Sequence, residues 1–311
     1  MRHKKAAPSP EHYPLVIISD THLGMSNDAS DLLCEFLRNT KCDRLILNGD
    51  IVDGLRLNNR PPKEFLEAQK RVVDAINRKV AEGTEVIYIP GNHDAALRRM
   101  NLFGKTFMGI RFEKDLDFTD PKGQRFFITH GDRFDPGQTR PVKIPDGAHK
   151  LIDHGYVALT KLSAAIDRVT HKTLKHHFAV AATSRRAIEG KILHSTQRHE
   201  KTATDYARKH GYDGIISGHF HMEANKKTKD GIVYLNSGDW VESFTALTLN
   251  KDGEWNVVKW PKTRISMGLK RDAAVSDNPD KAFRPATDKM LTEVHRIWPG
   301  RNKGPKAPPH P

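Results

Sequence analysis

Residues 15–24 read LVIISDTHLG, an apolar strand pattern that ends in an aspartate and a histidine two positions apart. Four more apolar runs, at residues 44–48, 86–90, 125–129 and 213–217, also end in a short polar motif. These motifs are Gly49-Asp50-Ile51-Val52-Asp53, Gly91-Asn92-His93-Asp94, His130-Gly131-Asp132 and Gly218-His219-Phe220-His221. Ligands in open α/β sheets bind at the carboxyl ends of the strands. We therefore expect the five motifs to meet at one edge.

Helical patterns separate the first three strands. Residues 28–39 and 63–81 repeat apolar side chains at helical spacing, which gives the strand-helix alternation of a layered α/β fold. Three further runs, near 231–236, 244–250 and 255–260, are joined by Gly and Asp turns and predict an antiparallel finish. The domain is thus expected to span 14–262. Residues 1–13 are predicted to be a flexible leader, and residues 263–311 a mostly flexible basic, Pro-rich tail with one short helix near 286–297.

Residues 136–212 are expected to form a helical insertion, with candidate helices at 148–169, 174–193 and 195–209. Because the insertion joins two strands that end in motifs, we expect it to project over the site as a cap. Residues 141–210 carry thirteen Lys and Arg against six Asp and Glu. The candidate substrate-binding residues of the insertion are Lys172, Lys175, Arg185 and Arg186. The alternative interpretation is that these residues lie on an ordinary solvated helix face.

The composition restricts the classes of protein and partner. The 311 residues carry a net charge of +13, which favours polyanionic partners such as a phosphorylated substrate, an anionic membrane surface or nucleic acid. Two cysteines exclude a disulfide framework and favour a reducing compartment. No stretch approaches the roughly 18 apolar residues that a membrane span requires. We expect a cytoplasmic protein, with peripheral contact to the inner membrane face as a further prediction.

The motifs carry the ligand types of a two-metal hydrolase. A pair of divalent ions neutralises the oxygens of a phosphorus ester and lowers the pKa of a water between them. In an extended segment, positions i and i+2 face the same way, so Asp20 and His22 can reach one ion, and His219 and His221 share that spacing. Asp50 is the candidate bridging carboxylate. Singly, each motif is as common in turns and surface pairs as in sites, but five in this order favour a metal centre.

On these motifs the chain resembles the calcineurin-like metallophosphoesterases over residues 15–250. The resemblance implies a four-layer αββα sandwich of two mixed sheets with a helical cap insertion. It assigns Asp20, His22, Asp50 and His221 to one ion, and Asp50, Asn92, His130 and His219 to the other. It also implies that His93 acts on the leaving group and that Asp53 orients His93. Asp94 and Asp132 are expected to support the ligands, with Asp132 beside His130. Manganese is the implied metal, with iron or zinc as alternatives.

A narrower resemblance rests on residues 19–24 and 49–54 and on Asn236-Ser237-Gly238-Asp239-Trp240-Val241-Glu242-Ser243. These stretches are similar to the branch that contains UDP-2,3-diacylglucosamine pyrophosphatases of lipid A biosynthesis. That resemblance implies hydrolysis of a nucleotide-linked diacyl sugar to UMP and a lipid monophosphate. The branch typically carries Arg where this chain has His93, which is the general phosphoesterase residue.

Two other functions therefore stay open. The first keeps the chemistry but changes the substrate to another phosphodiester, a phosphomonoester or a phosphoprotein, and a nuclease is one version. Aromatic residues are only 7% of the chain, and no basic segment is interleaved with them, which disfavours a single-strand track. The second is a non-catalytic binding module, which the presence of all seven ligand positions and of His93 disfavours. The oligomeric state does not follow from the sequence.

Overall fold

In the computed structural model, the strands of the described residues form two mixed sheets. The structure describes residues 11–24, 29–54, 67–98, 100, 102–135, 178–260 and 280–297. The strands, in chain order, are β1 (Glu11–Ile18), β2 (Thr40–Asn48), β3 (Glu85–Ile89), β4 (Lys105–Phe107), β5 (Ile110–Phe112), β6 (Leu116–Thr119), β7 (Arg125–Ile128), β8 (Gly214–Ser217), β9 (Ala224–Lys227), β10 (Val233–Asn236), β11 (Thr245–Leu249) and β12 (Trp255–Lys259).

The first sheet has the order β12-β11-β1-β2-β3-β5-β4, and the second has the order β6-β7-β8-β10-β9. Parallel pairing runs through β1, β2, β3 and β5 in the first sheet and through β7, β8 and β10 in the second. All eight strands expected from the sequence are present. The four that were not expected, β4, β5, β6 and β9, are three or four residues long, too short to give a periodic pattern.

The helices of the described residues are α1 (Ala29–Asn39), α2 (Glu67–Ala81), α3 (Ala95–Arg98), α4 (Phe178–Lys209) and α5 (Arg284–Ile297), with 3-10 turns at Asp132–Phe134 and Lys281–Phe283. Helices α1 and α2 lie where the periodicity predicted them. One 32-residue helix, α4, replaces the two helices predicted at 174–193 and 195–209. The helix predicted at 148–169 lies outside the described residues, as do Lys172 and Lys175.

Alternation along the strands divides the apolar side chains between two cores. One face of the first sheet packs against the second sheet through Leu15, Ile17, Ile46, Ile87, Phe126, Ile128 and Ile216. The other face packs against α1, α2 and α5 through Val16, Ile18, Leu45, Leu47, Leu33 and Val72, among others. On the far side of the second sheet, the ring of Phe127 of β7 contacts that of Tyr206 of α4, with 5.1 Å between the ring centroids and 41° between the ring planes. This layering confirms the predicted αββα sandwich.

The chain divides into two compact units, one comprising residues 1–132 and 203–311 and the other residues 133–202. Within the smaller unit, the buried His199 lies 6.1 Å from the ring of Phe134, measured between ring centroids. The cap predicted for 136–212 overlaps this unit and stays a prediction.

The C-terminal region contains a packed element where the sequence suggested a mostly flexible tail. Asp280 is buried and forms ion pairs with Arg38 at 2.7 Å and with Arg78 at 3.0 Å. Arg284 makes a two-pronged contact with Asp74 of α2, with hydrogen bonds of 2.8 to 3.1 Å. A buried acid with two guanidinium partners gives no hydrophobic signal, so the pattern of residues 280–285 did not reveal the docking.

Both cysteines are free and buried. Burial raises the pKa of the Cys34 thiol to about 12 and that of Cys42 to about 11, so neither is a reactive thiolate near neutral pH. Within the described residues, no helix has both the length and the apolar character that crossing a membrane demands.

Replacing Asp280 with alanine leaves Arg38 and Arg78 without their shared buried carboxylate. Because removing one partner of a buried ion pair leaves uncompensated charge, we expect a loss of about 3 kcal/mol in the free energy of unfolding. Urea unfolding followed by tryptophan fluorescence measures it. The control is Glu293→Ala, which removes a partner from the exposed pair with Arg296 and should leave the unfolding midpoint unchanged. Equal midpoints for the two variants would contradict the docking role of Asp280.

Candidate metal centre

The five polar motifs come together at the carboxyl ends of β1, β2, β3, β7 and β8. Three groups of donor atoms lie there, and within each group every ligand atom is within 4.8 Å of the others. The groups are Asp20 with His22 and His221, His22 with Asp50 and His93, and Asp50 with His130 and His219. Because His22 belongs to the first two groups and Asp50 to the last two, the groups form one continuous cluster.

The donor atoms of the first group point at one another. The Nε2 atoms of His22 and His221 are 3.2 Å apart, and Nε2 of His221 lies 3.3 Å from Oδ1 of Asp20. The last group is equally tight, with Nε2 of His130 lying 3.3 Å from Oδ2 of Asp50. Oδ1 of Asn92 is also 3.3 Å from the same nitrogen, which brings the predicted amide ligand to this group.

The other ring nitrogen of two of these histidines faces an outer acceptor. Nδ1 of His130 lies 2.9 Å from the carbonyl oxygen of Asn48, and Nδ1 of His22 lies 3.4 Å from Oδ2 of Asp53. In both rings Nε2 is therefore the atom directed at the cluster. A histidine that binds a metal usually donates its second N–H to a carbonyl or carboxylate in this manner, so the outer contacts fit a metal site.

The backbone at the predicted ligands is strained. Asp20, His22, Asp50, His219 and His221 all have positive φ, between 46° and 70°. Such values cost non-glycine residues roughly 1–3 kcal/mol and concentrate at functional sites. The first strand ends at Ile18, so Asp20 and His22 are not extended as the sequence argument assumed. Instead their amides donate to the carbonyls of Gly49 and Asp50, at 3.0 and 2.9 Å, and these bonds turn both side chains inward.

Asp53 and His93 lie side by side in the cluster. Nδ1 of His93 is 3.2 Å from Oδ1 of Asp53, and the ring of His93 is 4.7 Å from that of His22 between centroids. The two oxygens of Asp53 thus face two different histidines. The side chain of His93 is 29% exposed, whereas Asp53 is buried, so His93 is the member of this pair that solvent and substrate can reach.

Asp94 links the second and third motifs. Its Oδ2 accepts hydrogen bonds from the amide of Ile51 at 3.1 Å and from the hydroxyl of Tyr88 at 2.6 Å, and its Oδ1 accepts one from the amide of Gly91. The prediction that Asp94 supports the ligands therefore agrees with its contacts. Tyr88 was missed, because a tyrosine inside a buried strand carries no signal of a polar role.

Asp132 is hydrogen-bonded to Arg98, and His130 has a different hydrogen-bond partner. Its carboxylate accepts two hydrogen bonds from Arg98, at 2.8 and 2.9 Å, and the carbonyl of Asn48 is the partner of His130. The prediction that Asp132 supports His130 stays a prediction. Arg98, in the short helix after the third motif, was not anticipated from the sequence.

The stretch 236–243 is hydrogen-bonded to the first motif through the backbone. The amide of Trp240 donates to the carbonyl of Asp20 at 3.1 Å, and the amide of His219 donates to Oδ2 of Asp20 at 3.0 Å. Asp239 caps its own loop, since Oδ1 accepts hydrogen bonds from the amides of Val241, Glu242 and Ser243. The resemblance marked this stretch without indicating this structural role.

The electrostatics of the cluster favour positive charge. Burial lowers the pKa of His130, but the adjacent Asp50 outweighs burial and raises that pKa to about 10. Burial and Asp20 act on His221 in the same opposed way, and its pKa rises to about 9. Burial and the charge of Asp50 together raise the pKa of Asp94 to about 6. Carboxylates and imidazole nitrogens packed this closely are the donor set of a cation site, so the residues fit the divalent metals that the sequence predicted.

Of the predicted cap residues, Arg185 and Arg186 lie in α4, where side chains are not described, and Lys172 and Lys175 lie outside the described residues. Their role in substrate binding is untested.

The comparisons with known proteins concern the family of the chain. The profile of the family described as calcineurin-like phosphoesterase matches residues 13–223. One similar solved structure is an archaeal phosphodiesterase, with 16% identity over 79% of this chain and 98% of that chain and a TM-score of 0.37. Another is Yfce, a phosphoesterase from E. coli, with 16% identity over 79% of this chain and 99% of that chain and a TM-score of 0.37. A dimetal phosphatase from Danio rerio shows 12% identity over 79% of this chain and 98% of that chain, with a TM-score of 0.38. No curated protein matches.

The fold and the donor cluster define a metal-dependent phosphoesterase, a hydrolase of phosphorylated substrates. Because the family profile covers more than half of its length, the chain belongs to the calcineurin-like phosphoesterase family. This conclusion does not depend on the solved structures, whose identities and TM-scores are low.

A methyl group at Gly91 would overlap the carboxylate of Asp50 and lie 2.8 Å from the ring of His130. We expect Gly91→Ala to displace both and to reduce the bound metal per chain, measured by elemental analysis after dialysis against Mn²⁺. The control is Gly123→Ala. An alanine at position 123 is strained by the φ of +80°, but it has open space around it and touches no ligand. Wild-type metal content in Gly91→Ala would contradict the role of Asp50 as a ligand.

Proposed function

We propose that this chain is a two-metal phosphoesterase with the ligand sets that the resemblance implies. Asp20, His22, Asp50 and His221 hold one divalent cation, and Asp50, Asn92, His130 and His219 hold the other. The observation that supports this most directly is the continuity of the donor groups, since the carboxylate of Asp50 belongs to two of them. The donors are oxygen and imidazole nitrogen without thiolate, which suits Mn²⁺ and leaves Fe²⁺ or Zn²⁺ as alternatives.

When bound, such cations act as Lewis acids that screen the phosphoryl oxygens and activate water. The remaining work falls to His93 and Asp53. Because Nδ1 of His93 faces Asp53, its Nε2 is free to carry the proton that the leaving oxygen needs. Burial lowers the pKa of His93, but the hydrogen bond to Asp53 and the nearby charges of Asp50 and Asp94 together outweigh burial and raise it, which favours the proton-donating form. The amide of His93 donates to Oδ1 of Asp50 at 2.8 Å and fixes the ring relative to the ligands.

We infer further that the substrate is UDP-2,3-diacylglucosamine, hydrolysed to UMP and the lipid monophosphate at the periphery of an anionic membrane. Three features support this inference: the resemblance at residues 19–24, 49–54 and 236–243, the helical segment between β7 and β8, and the net charge of +13. In this proposal Lys172, Lys175, Arg185 and Arg186 bind the diphosphate, since lysine and arginine are the usual phosphate ligands. The route of synthesis that it would serve is that of lipid A.

His93 favours a second candidate function. The pyrophosphatase branch typically carries Arg at this position, whereas the paired His93 and Asp53 form the acid of a general phosphoesterase. The alternative is therefore hydrolysis of another phosphodiester or phosphomonoester by the same residues. A nuclease or protein phosphatase falls within this alternative.

Removal of a ligand tests the chemistry. We expect Asp50→Asn and His219→Ala to abolish hydrolysis of bis(p-nitrophenyl) phosphate, because each removes a donor of the group formed by Asp50, His130 and His219. Asp53→Asn should weaken hydrolysis by roughly 10²-fold or more, since it frees the ring of the proton donor. His12→Ala is the control, because that histidine forms only an exposed pair with Asp43 at the start of β1. Full activity in Asp50→Asn would rule out the shared-carboxylate assignment.

The substrate is tested separately. With Mn²⁺ present, we expect UMP release from UDP-2,3-diacylglucosamine at a rate well above that of His93→Ala, measured by chromatography of the nucleotide. Rates that do not differ between the two proteins would reject the lipid substrate. Hydrolysis of simple phosphodiesters, or of DNA at low salt, without UMP release would select the alternative function.

A further inference from the structure

Arg98 lies near the candidate metal centre and donates four hydrogen bonds. It ends α3, five residues after His93. Its Nε and one terminal nitrogen donate to the carbonyl oxygen of Pro90, at 3.1 and 2.8 Å. Both terminal nitrogens donate to the carboxylate of Asp132, at 2.8 and 2.9 Å. One guanidinium thus makes four hydrogen bonds to two partners from different motifs.

These partners flank two proposed ligands of the same cation. Pro90 lies two residues before Asn92, and Asp132 lies two residues after His130. Oδ1 of Asn92 and Nε2 of His130 are 3.3 Å apart. The two ligands come from different sheets, since the loop of Asn92 follows β3 and that of His130 follows β7. Arg98 therefore spans the gap between the two sheets beside Asn92 and His130, two proposed ligands of the second cation.

The chemistry of the contact makes it selective for arginine. The side chain of Asp132 is 14% exposed and that of Arg98 is 36% exposed, so the carboxylate is the part of the pair that is better shielded from water. A planar guanidinium can bind a carboxylate with two parallel hydrogen bonds and still reach a carbonyl, whereas an ammonium lacks this fixed fork.

We propose that Arg98 is a positioning residue for the second cation, acting through Asp132 and Pro90 to set the separation of Asn92 and His130. The inference rests on the proposed two-metal function. It predicts a selective effect, because the ligands of the first cation, Asp20, His22 and His221, lie on other motifs. Asp50 is shared, and its loop is held independently through Asp94.

The chain offers a matched control for a purely structural arginine. Arg284 also makes a two-pronged contact with a carboxylate, that of Asp74, through Nε and one terminal nitrogen, and it donates a further hydrogen bond of 2.7 Å to Glu67. Its side chain is 23% exposed, against 36% for Arg98. This contact joins α5 to α2 and involves no proposed ligand. A general loss of stability should therefore appear in both variants, and a loss of metal positioning in only one.

The test is calorimetric titration of Mn²⁺ into the metal-free full-length chain. We expect wild type to bind two equivalents, and Arg98→Met to bind one of them 10–100-fold more weakly while the other stays within about twofold. Arg98→Lys should recover only part of the loss. Arg284→Met should lower the unfolding temperature and leave both affinities unchanged. Excess Mn²⁺ should restore the phosphodiesterase rate of Arg98→Met, which a structural defect would not allow.

Two equivalents bound by Arg98→Met with wild-type affinity would overturn the inference, and so would equal weakening of both. If Arg98→Met fails to fold, Asp132→Asn removes the same ion pair with little change in shape and should show the same selective loss. A wild-type chain that binds fewer than two equivalents would contradict the proposed function, and the role of Arg98 would fall with it. The wild-type isotherm distinguishes that case from a failure of Arg98 alone.

Discussion

The apolar contact between the two sheets determines where every proposed ligand lies. Asp20, His22, Asp50 and Asn92 follow strands of the first sheet, and His130, His219 and His221 follow strands of the second. Neither sheet alone carries a complete set for either cation. The distance between the halves is set by close packing of side chains such as Ile17, Ile46, Phe126 and Ile216, all essentially inaccessible to solvent. Since packed interiors resist compression, this core holds the two sets of ligands at a fixed separation.

The core sets the positions of the proposed ligands approximately, and hydrogen bonds between the motifs then fix their orientation. The first motif binds the second through backbone pairs, and the amide of Gly218 donates to the carbonyl of His130 at 2.8 Å. Asp94 joins the second motif to the third, and Asp20 accepts a hydrogen bond from the fifth. Buried carboxylates are costly unless they are hydrogen-bonded or paired with cations. The contacts therefore both orient the ligands and reduce the free-energy cost of concentrating negative charge.

The sequence pattern predicted a layered α/β fold and the convergence of the five motifs because both depend on local, repeated signals, whereas the four-layer sandwich and the ligand sets came from the family resemblance. Strand-length apolar runs locate β1, β2, β3, β7 and β8, and a polar motif after each run follows from the geometry of parallel strands. The rest depends on contacts between residues far apart in the chain. The positive φ of His22 arises from pairing with the second motif, the partner of Asp132 is an arginine 34 residues earlier, and Asp280 docks through two arginines. No periodicity within one segment encodes such contacts.

The pairing of β1 with β11 has a consequence for biosynthesis. Leu15 lies opposite Leu249, so one edge of the first strand stays without its neighbour until more than two hundred further residues have been made. At ordinary rates of translation that interval lasts roughly ten seconds or more. Throughout it, a strand that is apolar on both faces presents unpaired backbone groups, the feature that promotes association between nascent chains. The nascent chain is thus open to pairing between strands of different molecules until β11 has been made.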